Sequence, residues 1–527
     1  TKDFFYQVEW KHEVVDTQTL TRFKPGHWLI FADTTGVGEK LAQQLSQSDC
    51  QCSLVYRSEE YQQLNESTYQ LNPAEPQEFE QLLEAIGTRS KLPLRGVIHL
   101  WSLDAPKTQD LTITSLEQAQ RWGCGAVLEI VKALTKTKSV AQLWLVTRGA
   151  IAVKSPTESV SVAASPLWGM GRVIALEQPQ MWGGMIDLDP HQTSETETET
   201  ETLLQFLVNE NQLEDHLALR EDYSYVARLI KQSPTVPQGV KIHSDATYLI
   251  TGGLGALGLH TARWMLEQGA RHLVLCGRKQ PDLEAQQTIE ELQKLGAQVL
   301  VLYGDISDEV DGAKIISQIE ACLPPLRGII HGAGVLDDAL LHSMNWEQFT
   351  GVMAPKVKGA WHLHNLTQNK ALDFFVCFSS MASVLGSPGQ GNYAAANAFM
   401  DGLAHHRRSI GLPALSINWG PWAEAGMAAS LDNRHQGRMV ASGITPLTSK
   451  QGLHILGQLL EQSSAQVGVL PVQWSVFQEQ FSFDHQMSLL LELVGETESQ
   501  QKAFGTKTNQ NQLLKRLESL PSGEQYH

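Results

Sequence analysis

Cysteine is scarce in this chain and never patterned: six are spread over 527 residues, and Cys50 and Cys52 are spaced for neither a redox CxxC nor a zinc knuckle. That usage predicts reduced, incidental thiols in a cytoplasmic protein. Long apolar runs are missing too, none approaching the roughly 20 residues of a membrane helix. So are clusters of Lys or Arg. The 40 basic residues are outnumbered by 57 acidic ones, a formal charge of -17, which argues against nucleic acid or a membrane surface as partner. Neither an initiator Met nor a signal-peptide pattern opens the chain, so "TKDFFYQVEW" reads as a stretch cut from something longer.

What is present is an alternation of short apolar strands and amphipathic helices, the pattern of a doubly wound α/β sheet. It occurs twice. "LRGVIHLW" (Leu94 to Trp101) nearly copies "LRGIIHGA" (Leu326 to Ala333) at an offset of 232, and "LWLVTRGA" from Leu143 parallels "FFVCFSSM" from Phe374 at 231. Gly36 precedes Gly253 by only 217, so the first copy lacks about 15 residues between its first and fourth strands. The expected fold is two Rossmann-like, doubly wound parallel sheets, the first truncated. "SETETETET" (Ser194 to Thr202) reads as a solvated loop inside the first copy, and "KQSPTVPQG" (Lys231 to Gly239) as the boundary between copies. The expected domains are 1–235, 241–480 and a polar tail over 481–527.

In the second copy, Gly253-Leu254-Gly255-Ala256-Leu257-Gly258 follows a strand and opens a helix, the context in which GxGxxG binds a dinucleotide pyrophosphate. Where an NAD enzyme places an acid to hold the ribose 2′-hydroxyl, this chain has Arg278. A guanidinium would hold a 2′-phosphate, so NADPH is the expected cofactor. The first copy fails the same test. Its third glycine position is Leu41, expected to keep the helix off the strand, and Glu39 would repel a phosphate.

"FSSMASVLGSPGQGNYAAANAFMDGLA" carries the chemistry. Ser380 ends a strand, and Tyr393 and Asn397 lie one turn apart on a helix face. A Ser, a Tyr and a nicotinamide suggest carbonyl reduction with Tyr393 as acid, but a free Tyr has a pKa near 10 and needs a cation beside it. The common short-chain dehydrogenases keep that Lys four residues after the Tyr, where this chain has Asn397. Lys356 and Lys358 are the upstream candidates.

From "YLITGGLGALG" to "LSINWGPW" the sequence resembles the ketoreductase domain of modular type I polyketide synthases, and the degraded copy resembles that family's structural subdomain. The likeness covers about residues 1–480. In that family the Lys lies 24 residues before the Ser, which selects Lys356 and leaves Lys358 on the surface. The resemblance implies that Ser380 bonds the substrate carbonyl, Tyr393 delivers the proton, Lys356 holds the ribose and lowers the Tyr pKa, and Asn397 holds a relay water. It implies Asp305 and Ile306 at the adenine, Ala333 and Gly334 at the nicotinamide ribose, and a mobile lid over Trp419 to Gly443. Leu336-Asp337-Asp338 marks the B-type members, and Leu385 stands where A-type members carry Trp. Gln390 joins these as a stereocontrol position. Ala395 stands where a Pro accompanies an epimerised α-branch. The implied activity is NADPH-dependent reduction of a β-ketoacyl thioester on an acyl carrier protein, among neighbouring synthase domains, giving the D (3R) alcohol. A silent or epimerase-only domain, or a stand-alone reductase, remains the alternative at this point. For Asp337 and Asp338 so does a plain helix-capping turn.

Overall fold

The computed structural model describes residues 4–13, 24–155, 158–191, 197–209, 214–221, 223–232, 242–424, 441–480 and 488–493. The first copy runs β1 (Phe5–Glu13), β2 (His27–Phe31), α1 (Val37–Ser46), β3 (Gln51–Arg57), β4 (Gln62–Gln63), β5 (Thr68–Leu71), α2 (Pro76–Arg89), β6 (Leu94–His99), α3 (Ile113–Gln120), α4 (Ala126–Lys136), β7 (Gln142–Arg148), α5 (Pro166–Glu177), β8 (Trp182–Leu188), α6 (Glu197–Val208), β9 (His216–Arg220) and β10 (Tyr223–Lys231). The second runs β11 (Thr247–Thr251), α7 (Ala256–Glu267), β12 (His272–Gly277), α8 (Leu283–Lys294), β13 (Gln298–Tyr303), α9 (Glu309–Cys322), β14 (Leu326–His331), α10 (Trp346–Thr367), β15 (Phe374–Ser380), α11 (Ala382–Leu385), α12 (Gly391–Ser409) and β16 (Leu415–Trp419). Helix Ser449–Leu460 then leads into β17 (Gln466–Val469).

Both copies order their parallel strands third-second-first-fourth-fifth-sixth: β5-β3-β2-β6-β7-β8 and β13-β12-β11-β14-β15-β16, with β17 beyond. The duplication extends to detail. The first and fourth strands slip register at the same step, between His27 and Trp28 and between Thr247 and Tyr248. In each "LRG" the glycine admits an aromatic ring, but from opposite neighbours: a Cβ at Gly96 falls 2.2 Å from Trp28 of β2 and one at Gly328 2.3 Å from Phe374 of β15. Where the second copy has α8, the first has only the short β4, which accounts for its missing residues. β11 and β16 are buried end to end, as parallel strands covered on both faces should be.

The two halves are not separate sheets. β1 pairs antiparallel with β10 along Tyr6 to Glu13, and its other edge pairs with β17 at Phe5 and Tyr6. With β9 and β10 it welds the halves into one sheet of seventeen strands among the described residues. One apolar cluster likewise spans both copies, joining Leu167 and Met170 of α5 to Ala394 and Phe399 of α12.

Three expectations need correction. Part of the acidic "SETETETET" is helix: Glu199 is buried on α6 and binds the Arg148 guanidinium through both oxygens, each at 2.8 Å. A repeat of Glu and Thr hides an ion pair when its partner lies fifty residues upstream. The expected tail contains structure, since Leu489, Leu490 and Leu493 are buried with Tyr6, Leu229 and Trp474. Leu41 does not hold α1 off the sheet; it is fully buried among Trp28, Ile30 and Ile98, and Gly38 makes the close approach instead, 3.0 Å from Ala32 Cβ. The expected lid lies mostly outside the described residues, as do 233–239 of the boundary segment. Among the described residues no helix is long and apolar enough to cross a membrane.

Candidate active site

Every predicted catalytic residue sits at the carboxyl edge of β14 to β16. Ser380 is the last residue of β15, and Tyr393 and Asn397 lie on α12, which packs behind that strand. Asn397 is buried; its Nδ2 donates to Tyr393 O at 2.7 Å, while Oδ1 is a buried acceptor with no partner among the described residues. Lys356 of α10 is 2% exposed. Its Nζ donates to Phe378 O at 2.9 Å and stands 5.4 Å from the centre of the Tyr393 ring. Lys358, two residues on, points the other way and pairs with Glu117 of the first copy at 2.7 Å.

The electrostatics differ from expectation in one respect. Burial pushes the Tyr393 hydroxyl above its ordinary pKa, with the Ser380 hydroxyl and Asn397 amide pulling it back and Asp338 adding to the rise. Lys356 does not reverse this. Its own pKa falls to about 8, burial outweighing the pull of Cys377 and Asp401.

The glycine turn is shaped for close approach. Gly252 holds φ at +66°, and a Cβ on Gly258 would fall 2.5 Å from Gly252 O and Gly253 Cα. A Cβ on Gly255 would meet only Gly252 O, at 3.5 Å, so the turn is open on that side. No side chain caps α7, and Gly255 and Ala256 at its start are exposed. In the first copy the corresponding amides are already taken. The Asp33 carboxylate accepts from Val37 and Gly38 N–H, at 3.2 and 2.8 Å, filling the anion site with the chain's own charge. Glu39, expected to repel a phosphate, instead accepts from the Tyr56 hydroxyl at 2.7 Å.

The remaining predicted residues divide. Arg278 follows β12 and reaches to 3.9 Å from Asp305 Oδ2, both partly exposed. Gly332 and Ala333 N–H donate to Thr251, and Gly334 follows them, half-buried. Ile306 is in the core, its side chain turned to Gly359 and Gly312, so only its backbone is left to face a ligand. Leu385 is half-buried against the cluster around Tyr6 and Trp474. Asp337 and Asp338 cap no helix, because Asn345 and Gln348 box the start of α10. Asp338 instead accepts from Gln390 Nε2 at 3.0 Å and Asp337 from Gln348 Nε2 at 3.2 Å, while Asn392 Nδ2 donates to Asp337 O at 2.8 Å. Half-buried Leu336 leads into this loop.

A family model described as the KR domain matches residues 246–424, and one for the Rossmann fold domain of the polyketide synthase extender module SpnB matches 61–229. A solved structure of A-type ketoreductases from a modular polyketide synthase is 30% identical, with a TM-score of 0.76 over 91% of this chain and 96% of that one. The chain belongs to the ketoreductases of modular polyketide synthases. It is therefore an oxidoreductase acting on β-keto groups. A C2-type ketoreductase is similar at 27% identity and a TM-score of 0.78. Polyketide synthase GfsB of Streptomyces halstedii is 34% identical over 85% of this chain, which spans only 8% of that protein.

Sequence reasoning missed what supports the ketoreductase site from behind. Asp401, two turns after Tyr393, is buried and accepts from Ser383 (2.6 Å), Ser416 (2.5 Å) and Asn418 (2.9 Å). Asn418 also donates to Ser379 Oγ at 3.1 Å, so the network pins the end of the strand that carries Ser380. The eight-residue step from Tyr393 to Asp401 was the available signal.

Proposed function

We propose that this ketoreductase uses NADPH to reduce a β-ketoacyl thioester, carried by an acyl carrier protein among neighbouring synthase domains in the cytoplasm, to the D (3R) β-hydroxyacyl thioester. One observation carries the reading: Ser380, Tyr393 and Lys356 gather at the sheet edge beside an open glycine turn. The residues present fit the dinucleotide. Gly253 and Gly258 make the tight turn, the uncapped start of α7 would offer amides to a pyrophosphate, and Arg278, exposed just past β12, would read a 2′-phosphate. Bound NADPH supplies the hydride. Ser380 orients the carbonyl, Tyr393 gives its proton to the forming alkoxide, and the unpaired Asn397 Oδ1 is an acceptor for a relay water.

The D configuration rests on the Leu336–Asp338 loop, bonded to the start of the Tyr393 helix, as one wall of the mouth. The subtype words attached to the similar structures describe those proteins. Incubation with NADPH and a carrier-bound 3-oxoacyl thioester, followed by intact-mass and chiral analysis, tests both parts. A D product in large excess is expected, and about 3 kcal/mol of discrimination suffices at 1.36 kcal/mol per tenfold. No reduction would refute the activity, and an L product the stereochemical assignment.

Arg278→Ala is expected to raise the NADPH dissociation constant 10- to 100-fold, equivalent to about 1.5–3 kcal/mol for a charged hydrogen bond, while NADH affinity hardly moves. Titration by nicotinamide fluorescence measures it. Equal affinity of the parent for both cofactors would remove Arg278 from the site.

A further inference from the structure

Glu177 closes α5 with a carboxylate, at the helix end where the dipole disfavours one. Its partners lie in the other copy. Leu341 N–H donates to Oε2 and Gly389 N–H to Oε1, each at 2.7 Å. Leu341 stands three residues after Asp338, and Gly389 four before Tyr393. The two segments also bond each other: Ala339 N–H donates to Gly389 O at 2.9 Å, and Ala339 bridges to Gln390. The turn before Tyr393 rests on α5, where a Cβ at Gly386 would fall 2.8 Å from Arg172 O. One carboxylate thus holds both lips of the mouth, and it comes from the copy whose own glycine turn is blocked by Asp33.

We propose that Glu177 is a positioning residue: it clamps the Leu336–Asp338 loop to the start of the Tyr393 helix, so that the first copy sets the mouth and through it the hand of the product. The proposal rests on the reading that this loop is one wall of the substrate's approach. Glu177→Gln keeps the size of the side chain but turns an NH2 toward an N–H, opening one arm of the clamp.

The full chain would be assayed with NADPH and a 3-oxoacyl pantetheine thioester. NADPH affinity within about twofold of the parent is expected, with a raised KM, a D:L ratio lowered at least about tenfold, and faster hydrogen exchange at Leu341 and Gly389. Gly389→Ala is the second variant. Its Cβ meets nothing within 4 Å, but φ of +83° strains any L side chain, so it loosens the same turn without touching Glu177. A smaller shift in the same direction is expected, and it keeps the test open if the Gln variant does not fold. Faster exchange with an unchanged D:L ratio and KM would make the clamp merely structural and overturn the proposal. Asp338→Ala separates the two ideas. If it alters the ratio and the clamp variants do not, the reading of the mouth stands and the clamp falls. If none alters it, both fall.

Discussion

Tyr393→Phe is expected to lower kcat for 3-oxoacyl reduction by about 10³-fold, with the melting temperature and NADPH affinity close to those of the parent. The change removes one oxygen and keeps the ring, which packs half-buried against the cluster shared by the two copies. Because burial raises the hydroxyl's pKa, Tyr393 keeps its proton throughout the neutral range, the state a donor needs in the reducing direction. The charge we propose helps it give the proton up is on Lys356, whose pKa burial brings to about 8. A lysine with a lowered pKa is charged below that value and loses its charge as pH rises through it. The kcat/KM of the parent should therefore fall above pH of about 8, as the free enzyme loses the Lys356 charge, and the residual activity of the Phe variant should not follow the same proton. Initial rates across the pH range decide this. An alkaline limb near 10, the value of a free tyrosine, would mean that Tyr393 itself governs the profile. Undiminished turnover by the Phe variant would remove it as the acid.

The residues proposed to meet a ligand were legible because their spacing is dictated by backbone geometry. A glycine turn must precede its helix, and Tyr393 and Asn397 must be one turn apart, wherever the chain goes next. Lys356 was legible only through resemblance, since nothing local ties α10 to α12. What stayed hidden depends on partners far along the chain. β1 looks like a ragged beginning, yet it joins the two halves by pairing with β10 and β17, some 200 and 460 residues away. Asp33 reads as a polar residue after a strand, and only its hydrogen bonds to Val37 and Gly38 reveal that it occupies the first copy's anion site. Glu177 gives one faint signal, an acid at a helix C-terminus. The Glu-Thr repeat misleads because solubility and a buried Arg partner call for the same residue.

Gly169→Ala, in the first copy, is expected to cost about 3 kcal/mol of stability, the upper range for overpacking, and to depress turnover more than NADPH affinity. Helix α5 crosses α12 so closely at this point that a Cβ would fall 2.1 Å from Ala394 O, 2.5 Å from Ala394 C and 2.9 Å from Ala395 N. These are backbone atoms and cannot rotate aside. Further along the same crossing, a Cβ on Gly402 would fall 2.3 Å from Ser165 Oγ, so tilting the helices about one contact tightens the other. The remaining response is separation of the two helices, and α12 carries Tyr393 one residue before Ala394. Gly351→Ala provides the control: that glycine is exposed inside α10, and its Cβ would meet nothing within 4 Å. There alanine should be stabilising by about 0.5–1 kcal/mol, the usual gain over glycine within a helix. Denaturant unfolding of both variants, with kcat and the NADPH dissociation constant measured alongside, makes the comparison. A Gly169→Ala protein as stable and active as the parent would show that α12 can move off α5 freely, and that the first copy does not hold the catalytic helix in place.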